Sequence, residues 1–371
     1  MQKIRVFLLS GNLPLYTEML KFPPKHVKYL GTPSKGARSY YSKINEIRRK
    51  TVWCITQIFK IPRMVFVLTS ADIIHSNRGI CVLNRKPWII DVDHPSSFLS
   101  FSPIWNEEKY RKIPEKLLSS KFCKKIMPWS WACFKSMISS FSKNERIKEK
   151  MEVLYPATFL YEGKKKAEKE FITLLYVSSL FKEKGGMEVL KAFEILRRKF
   201  DVKLIFKCDV PDEIKEKFKF PEIEFYQYKK EILPREKLLS QFFARADIFV
   251  YPTYFDIFGL GLLDALAVGL PIVATDVFAV PEIVEDNKNG FLIHSPIRWH
   301  DETYLWNPVG GSKKDKEFIV KQLVEKLSLL IEDSSLRRRM GRYSRRLVER
   351  GRFSIKERNE KLRKIYEEAI R

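Results

Sequence analysis

Residues 255–291 read FDIFGLGLLDALAVGLPIVATDVFAVPEIVEDNKNGF, and their pattern decides the fold. Asp256 and Asp264, with seven residues between them, flank the turn Phe258-Gly259-Leu260-Gly261. Alanine and leucine then dominate as far as Gly269-Leu270-Pro271, where glycine and proline stop a helix. The apolar Ile272-Val273-Ala274 follows as a buried strand. A loop that opens a helix leaves its first N–H groups without intrahelical partners, so they can hold an anion such as a diphosphate. Asp256 falls in that loop, and Asp264 lies about a turn into the helix. Helix–Gly–Leu–Pro–strand is also common packing grammar in doubly wound sheets, so the acids and glycines carry the functional signal.

Working outward, apolar runs alternate with helical stretches on both sides of this segment, the pattern of parallel sheets wrapped by helices. In the first half, strands are expected at Ile4–Leu9, Val27–Leu30, Val65–Leu68, Asp72–His75, Trp88–Val92, Ile126–Trp129 and Val153–Tyr155. Helices are expected at Leu15–Lys21, Ala37–Phe59 (Tyr41, Ile44, Ile47 and Ile55 inward) and Trp131–Phe141. The charged stretch Tyr161–Glu170 reads as an interdomain linker. Strands resume at Phe171–Val177, Val202–Phe206, Glu222–Gln227 and Asp247–Tyr251, with helices at Met187–Arg198 and Arg235–Ala244. Residues 294–316 read as a surface insertion, before helices at 317–332, 334–350 and 355–370. At 371 residues the chain is long enough for two domains with separate cores.

The net charge of +24 favours anionic partners but selects none of them. Arginine concentrates at 337–352, where RRRMGRYSRRLVERGR holds eight, and Arg338, Arg342 and Arg346 share a helix face expected to meet water. Within 115–141, Phe122, Trp129, Trp131 and Phe134 interleave with Lys121, Lys124, Lys125 and Lys135. Such a segment either lies on an anionic membrane or packs its rings in a core. Five cysteines without metal spacing and no recognisable signal peptide imply reduced thiols and a cytoplasmic protein, peripheral on the membrane at most. Richness in Lys, Glu, Ile and Arg with five Gln leans towards a thermophilic source.

The central segment resembles the donor-binding motif of the retaining GT-B glycosyltransferases of family four. That family places a Glu, seven residues and a second Glu around a Gly-Phe-Gly turn; here both acids are Asp and Ile257 replaces the first glycine. The resemblance implies an α/β chain of two Rossmann-like domains facing each other across a deep cleft. It assigns 1–165 with a returning final helix at 355–371 to an acceptor-side domain, and 166–354 to a nucleotide-sugar-binding domain. It implies a metal-independent hexosyltransferase acting with retention, whose donor is a nucleoside-diphosphate sugar and which needs no cofactor. The acceptor would be lipid-linked, a saccharide or a small molecule.

The same resemblance suggests residue roles. Asp256 would face the transferred sugar and Asp264 the ribose. The N–H groups of Phe258, Gly259 and Leu260 would hold the diphosphate with Lys184, which ends SSLFKEK and, with Gly185, stands in the position of a family Lys-Gly. Ser179 stands where the family has an Arg, and a hydroxyl cannot replace a bidentate phosphate contact. His94, after Trp88–Val92, corresponds to a family His near the sugar, and Gly11 is the candidate for an N-terminal phosphate loop. His75 is a weaker candidate for substrate contact, and Tyr226 and Tyr228 lie where the family reads the base. No metal cluster is expected; Asp91-Val92-Asp93 only superficially matches a metal-binding pair. Two other readings remain: a sugar-nucleotide-binding protein of the same fold with weak or no transferase activity, motivated by Ser179 and the two Asp, and a nucleic-acid binder, motivated by charge alone and lacking a recognition module. Specific nucleic-acid binding is therefore not expected, and the oligomeric state is not legible.

Overall fold

Branched and aromatic residues form the strands of the computed structural model, which describes residues 3–9, 14–31, 43–163, 170–229, 233–296 and 311–371. These form two compact units. The first runs to Ala157 and takes up the chain again at Arg352; the second runs from Thr158 to Gly351. Thr158 rather than residue 166 starts the second unit because the chain is already tied to it there. Tyr161 N–H donates to Ala267 O, and Arg345 donates to Tyr161 O.

In the first unit, β1 (Ile4–Leu8), β2 (Val27–Leu30), β4 (Ile73–Ser76), β6 (Trp88–Val92) and β7 (Cys123–Pro128) form a parallel sheet in the order β2-β1-β4-β6-β7. Val6 is opposite Ile73, and Ile74 opposite Trp88. These side chains are buried because a parallel sheet is covered on both faces, which is why its strands read as unbroken apolar runs. β3 (Met64–Val65) pairs only with β5 (Cys81–Val82), so the strand expected at Val65–Leu68 stops early and leaves Phe66 and Leu68 exposed. The strand expected at Val153–Tyr155 does not form. Glu152 and Leu154 donate to Ile126 O and Pro128 O, but Pro128 has no N–H to return, and the pairing ends as one bridge at Met151. The helix Ile355–Ala369 belongs to this unit and buries Leu362, Ile365, Tyr366 and Ala369. Its Tyr366 hydroxyl sits 2.6 Å from His75 Nδ1 and 3.2 Å from Tyr29 Oη.

The second unit holds β8 (Ile172–Val177), β9 (Val202–Lys207), β10 (Ile223–Tyr226), β11 (Ile248–Tyr251), β12 (Ile272–Thr275) and β13 (Gly290–Ile293), all parallel, in the order β10-β9-β8-β11-β12-β13. The order reverses between β8 and β11, where Ile248 is opposite Leu174. Loops leaving the carboxyl ends of two strands at such a switch point diverge and leave a crevice for ligand. Helices Gly186–Leu196 and Lys313–Glu332 cover one face through Val189, Phe193, Ile319 and Leu323. The helix Leu260–Val268 lies on the other, beside Ser334–Glu349, whose Ser344 donates to Leu270 O. Among the described residues no helix is long and apolar enough to cross a membrane. Of the expected features, Tyr41, Ile44, Ile47, Gly11, 164–169 of the linker and 297–310 of the insertion lie outside the residues, or the side chains, described.

Candidate functional site

The loops after β8 and β11 meet because glycine lets them. Gly185 sits at φ 71°, and a Cβ there would lie 2.2 Å from Pro252 O, so a side chain would force the two loops apart. Lys184, just before it, reaches across the switch point: Nζ lies 2.6 Å from Asp256 Oδ2 and also donates to Phe255 O. Tyr251 Oη donates to the same carboxylate oxygen, and Phe258 N–H donates to Oδ1 at 3.2 Å. Burial pushes the Asp256 carboxyl up, but the Lys184 ammonium, the Tyr251 hydroxyl and the Phe258 amide outweigh it and hold it below the ordinary carboxylate value. The structure thus brings Lys184 and Asp256 together as a half-buried ion pair.

The expected set of anion-facing amides needs one correction. Phe258 N–H is spent on Asp256, in a turn that fixes the loop. Gly259 caps the following helix at φ 89°, a left-handed conformation that glycine adopts freely, and no side chain caps the end. Among the described residues none accepts from the N–H groups of Gly259, Leu260 or Gly261, although Leu262 N–H bonds back to Gly259 O. Three N–H groups without a described acceptor therefore follow the loop that Lys184 and Asp256 anchor, displaced by one residue from the expected three.

Asp264, one turn further on, is 9% exposed. Arg235, which the sequence reading did not single out, holds its Oδ1 from Nε at 2.7 Å and Nη2 at 2.6 Å. The guanidinium also reaches the Thr158 hydroxyl and stacks over the Phe159 ring. Burial raises the Asp264 carboxyl despite Arg235. Because both arginine nitrogens converge on Oδ1, Oδ2 accepts from none of the described residues and can serve a ligand hydroxyl. Nothing in the sequence signals this pair: its members are 29 residues apart, and Arg235 reads as an ordinary helix start. Tyr251 was likewise invisible inside an apolar strand.

Ser179 is half-buried and makes no hydrogen bond among the described residues; Lys182 beside it is exposed. Tyr226 donates to Glu224 and meets the Phe242 ring edge-on, so its hydroxyl is already engaged.

In the first unit, His94 is 6% exposed and caps the short helix Pro95–Leu99: its Nδ1 accepts from Ser96 N–H at 3.1 Å. Burial lowers its pKa to about 4, against the pull of Asp93. The ring is neutral with its proton on Nε2. His75 is fully buried between Tyr366 and Asp91, in the wall of the core rather than on a crevice. Asp91 accepts from Tyr16, and Asp93 pairs with Arg78 at 2.6 Å. Among the described residues no group of three His, Cys, Asp or Glu could hold a metal. In 115–141, Trp129 is buried under Arg78 while Trp131 stays half exposed against Phe134.

Residues 160–302 match the family model described as Glycosyl transferases group 1. An uncharacterised 41.2 kDa protein of the cps region of Klebsiella pneumoniae is 26% identical over 229 residues, 57% of this chain and 59% of its own. An uncharacterised glycosyltransferase of Haemophilus influenzae is 29% identical over 48% of this chain and 49% of its own. The chain thus matches about half the length of these curated relatives. A crystal structure of Anabaena HepE in complex with UDP and glucose superposes with a TM-score of 0.59 at 13% identity, over 98% of this chain and 99% of that one. The fold is GT-B. The family-matched segment contains Lys184, Arg235, Tyr251, Asp256 and Asp264.

Proposed function

We propose that this chain is a glycosyltransferase that moves a hexose from a nucleoside-diphosphate sugar to an acceptor hydroxyl with retention of configuration, as in family four. The observation that carries the reading is the Lys184–Asp256 pair beside three open amides at the sheet's switch point. Negative charge grows on the diphosphate as the glycosidic bond breaks. An ammonium and fixed N–H dipoles in a low-dielectric crevice stabilise that charge without reorganising. Lys184 would be shared between Asp256 and the phosphate, while Asp256 steers the sugar hydroxyls. Asp264 Oδ2 would take a ribose hydroxyl, its position fixed by Arg235. His94, neutral, would donate from Nε2 to the sugar. Because helix N–H groups and Lys184 neutralise the diphosphate, the reaction would proceed in EDTA.

The Anabaena neighbour holds UDP and glucose, so UDP-sugars lead the donor panel. Binding that favours the folded state raises the melting temperature by mass action. UDP-glucose should raise it and GDP- or ADP-sugars should not. Transfer from labelled donor to lipid-linked and saccharide acceptors, with the product anomer read by NMR, then tests activity and stereochemistry. No shift with any nucleoside-diphosphate sugar defeats the proposal. Ser179, standing where the family has an arginine, favours a second reading in which the chain binds donor with weak or no transfer; a shift without transfer or donor hydrolysis supports that one. Docking of 115–141 on an anionic membrane, through the exposed Trp131, belongs to the lipid-acceptor form of the proposal.

A further inference from the structure

The arginines at 337–352 do more than coat a helix. A cavity of about 630 Å³ opens at the amino ends of β8, β11 and β12, lined by Phe171, Asp247 and Pro271 from the sheet and by Arg337, Arg338, Arg342 and Arg345 from the Ser334–Glu349 helix. Lys184 and Asp256 leave from the opposite, carboxyl ends of the strands. Six residues of β8 at ~3.3 Å each put the two places about 20 Å apart.

Among the described residues the lining holds four arginines and one carboxylate, and that carboxylate is engaged: Asp247 Oδ2 accepts from Thr173 N–H at 2.8 Å. Arg337 donates to Leu330 O and Ile331 O, and Arg345 donates to Tyr161 O while packing its stem over Gly269. Carbonyls fix these two guanidiniums in place without cancelling their charge. Among the described residues, Arg337, Arg342 and Arg345 form no ion pair. Arg338 and Arg342 lie one helical turn apart, and both are exposed.

We propose that this cavity is a second ligand site, distinct from the donor crevice, that takes a phosphate-bearing anion. Guanidiniums are planar forks that match phosphate oxygens two at a time, and a concave wall of one sign concentrates the field on whatever enters. The volume accommodates a phosphate with an attached group. The phosphate belongs either to a soluble ester or diphosphate or to a phospholipid headgroup.

The test uses the full chain and the double variant Arg338→Gln/Arg342→Gln, whose exposed side chains leave the fold intact, as urea unfolding will verify. One arm titrates inorganic pyrophosphate calorimetrically in the Lys184→Met background, which disables the donor crevice; the other sediments the protein with phosphatidylcholine vesicles with and without phosphatidylglycerol. The wild type should bind in at least one arm, with affinity falling as salt rises, and the variant at least tenfold more weakly. Pyrophosphate binding lost in the variant identifies a soluble ligand, and vesicle binding alone identifies the headgroup. Equal binding by variant and wild type, or no binding in either arm, overturns the proposal. The melting shift caused by nucleotide sugar should be the same in both proteins, so failure here is separable from failure of the donor site.

Discussion

Replacing Lys184 with methionine keeps the side chain's length and apolar stem and removes only the ammonium. Two consequences follow from the geometry. The side chains of Lys184 and Asp256 are 13% and 18% exposed, so the variant strands a largely buried carboxylate. Removing one partner of a buried pair costs about 3–5 kcal/mol. The pH dependence changes as well. In the wild type the folded Asp256 titrates below its unfolded value of about 3.9, so its stabilisation is present above that value and fades as pH falls through the folded one. Without the ammonium, burial is opposed only by the Tyr251 and Phe258 hydrogen bonds, so the folded value rises relative to wild type and the variant's deficit shrinks on acidification. Urea unfolding at pH 7 and pH 5, with an unchanged slope, measures both effects. Lys184→Met/Asp256→Asn should regain stability by removing the stranded charge. Neither variant should regain donor affinity. A charge-assisted phosphate contact is worth about 1.5–3 kcal/mol, so dissociation constants should rise roughly ten- to a hundredfold. A Lys184→Met protein that binds UDP-glucose like wild type would refute the assignment of the ammonium to the diphosphate.

Gly259→Ala places a Cβ 2.8 Å from Leu262 Cδ1 at φ 89° and should cost about 1–2 kcal/mol in urea unfolding, with weakened donor binding because the open amides move. His94 titrates at about 4 in the fold against about 6.5 unfolded, so below pH 6.5 the unfolded chain takes the proton first. Stability should decline by up to ~3 kcal/mol between pH 6.5 and 4, and His94→Gln should flatten that slope in pH-resolved melts. Tyr366→Phe deletes the hydroxyl between His75 and Tyr29 and should cost about 1–3 kcal/mol by equilibrium unfolding, leaving the affinity of the second unit for nucleotide sugar unchanged.

Strand identity was legible where both faces of a strand are covered, because the apolar run then has nothing to alternate with; Trp88–Val92, buried throughout, appears at its expected limits. It failed where a pairing partner was decisive. Val153–Tyr155 has the right residues, but the missing N–H of a proline on the neighbouring strand is not part of its own sequence. In the site, the loops that carry Lys184 and Asp256 were legible because glycines mark them after apolar strands, and the two residues were singled out by the family resemblance. The grip of Arg235 on Asp264 was not, since no local spacing relates a helix start to a carboxylate 29 residues later. Arg338 and Arg342 do face solvent as their spacing implies; that they also wall a cavity depends on where β8, β11 and β12 begin.

The return of residues 352–371 to the first unit sets an order of events during synthesis. The described residues of the second unit all lie between Thr158 and Gly351, and its sheet can close once Gly351 has left the ribosome. The earlier piece waits, with the faces destined for Leu362, Ile365 and Tyr366 uncovered, until residues 352–371 emerge. The half made first is therefore the half finished last, and during that interval its bare apolar surface makes it the part of the nascent protein most in need of a chaperone.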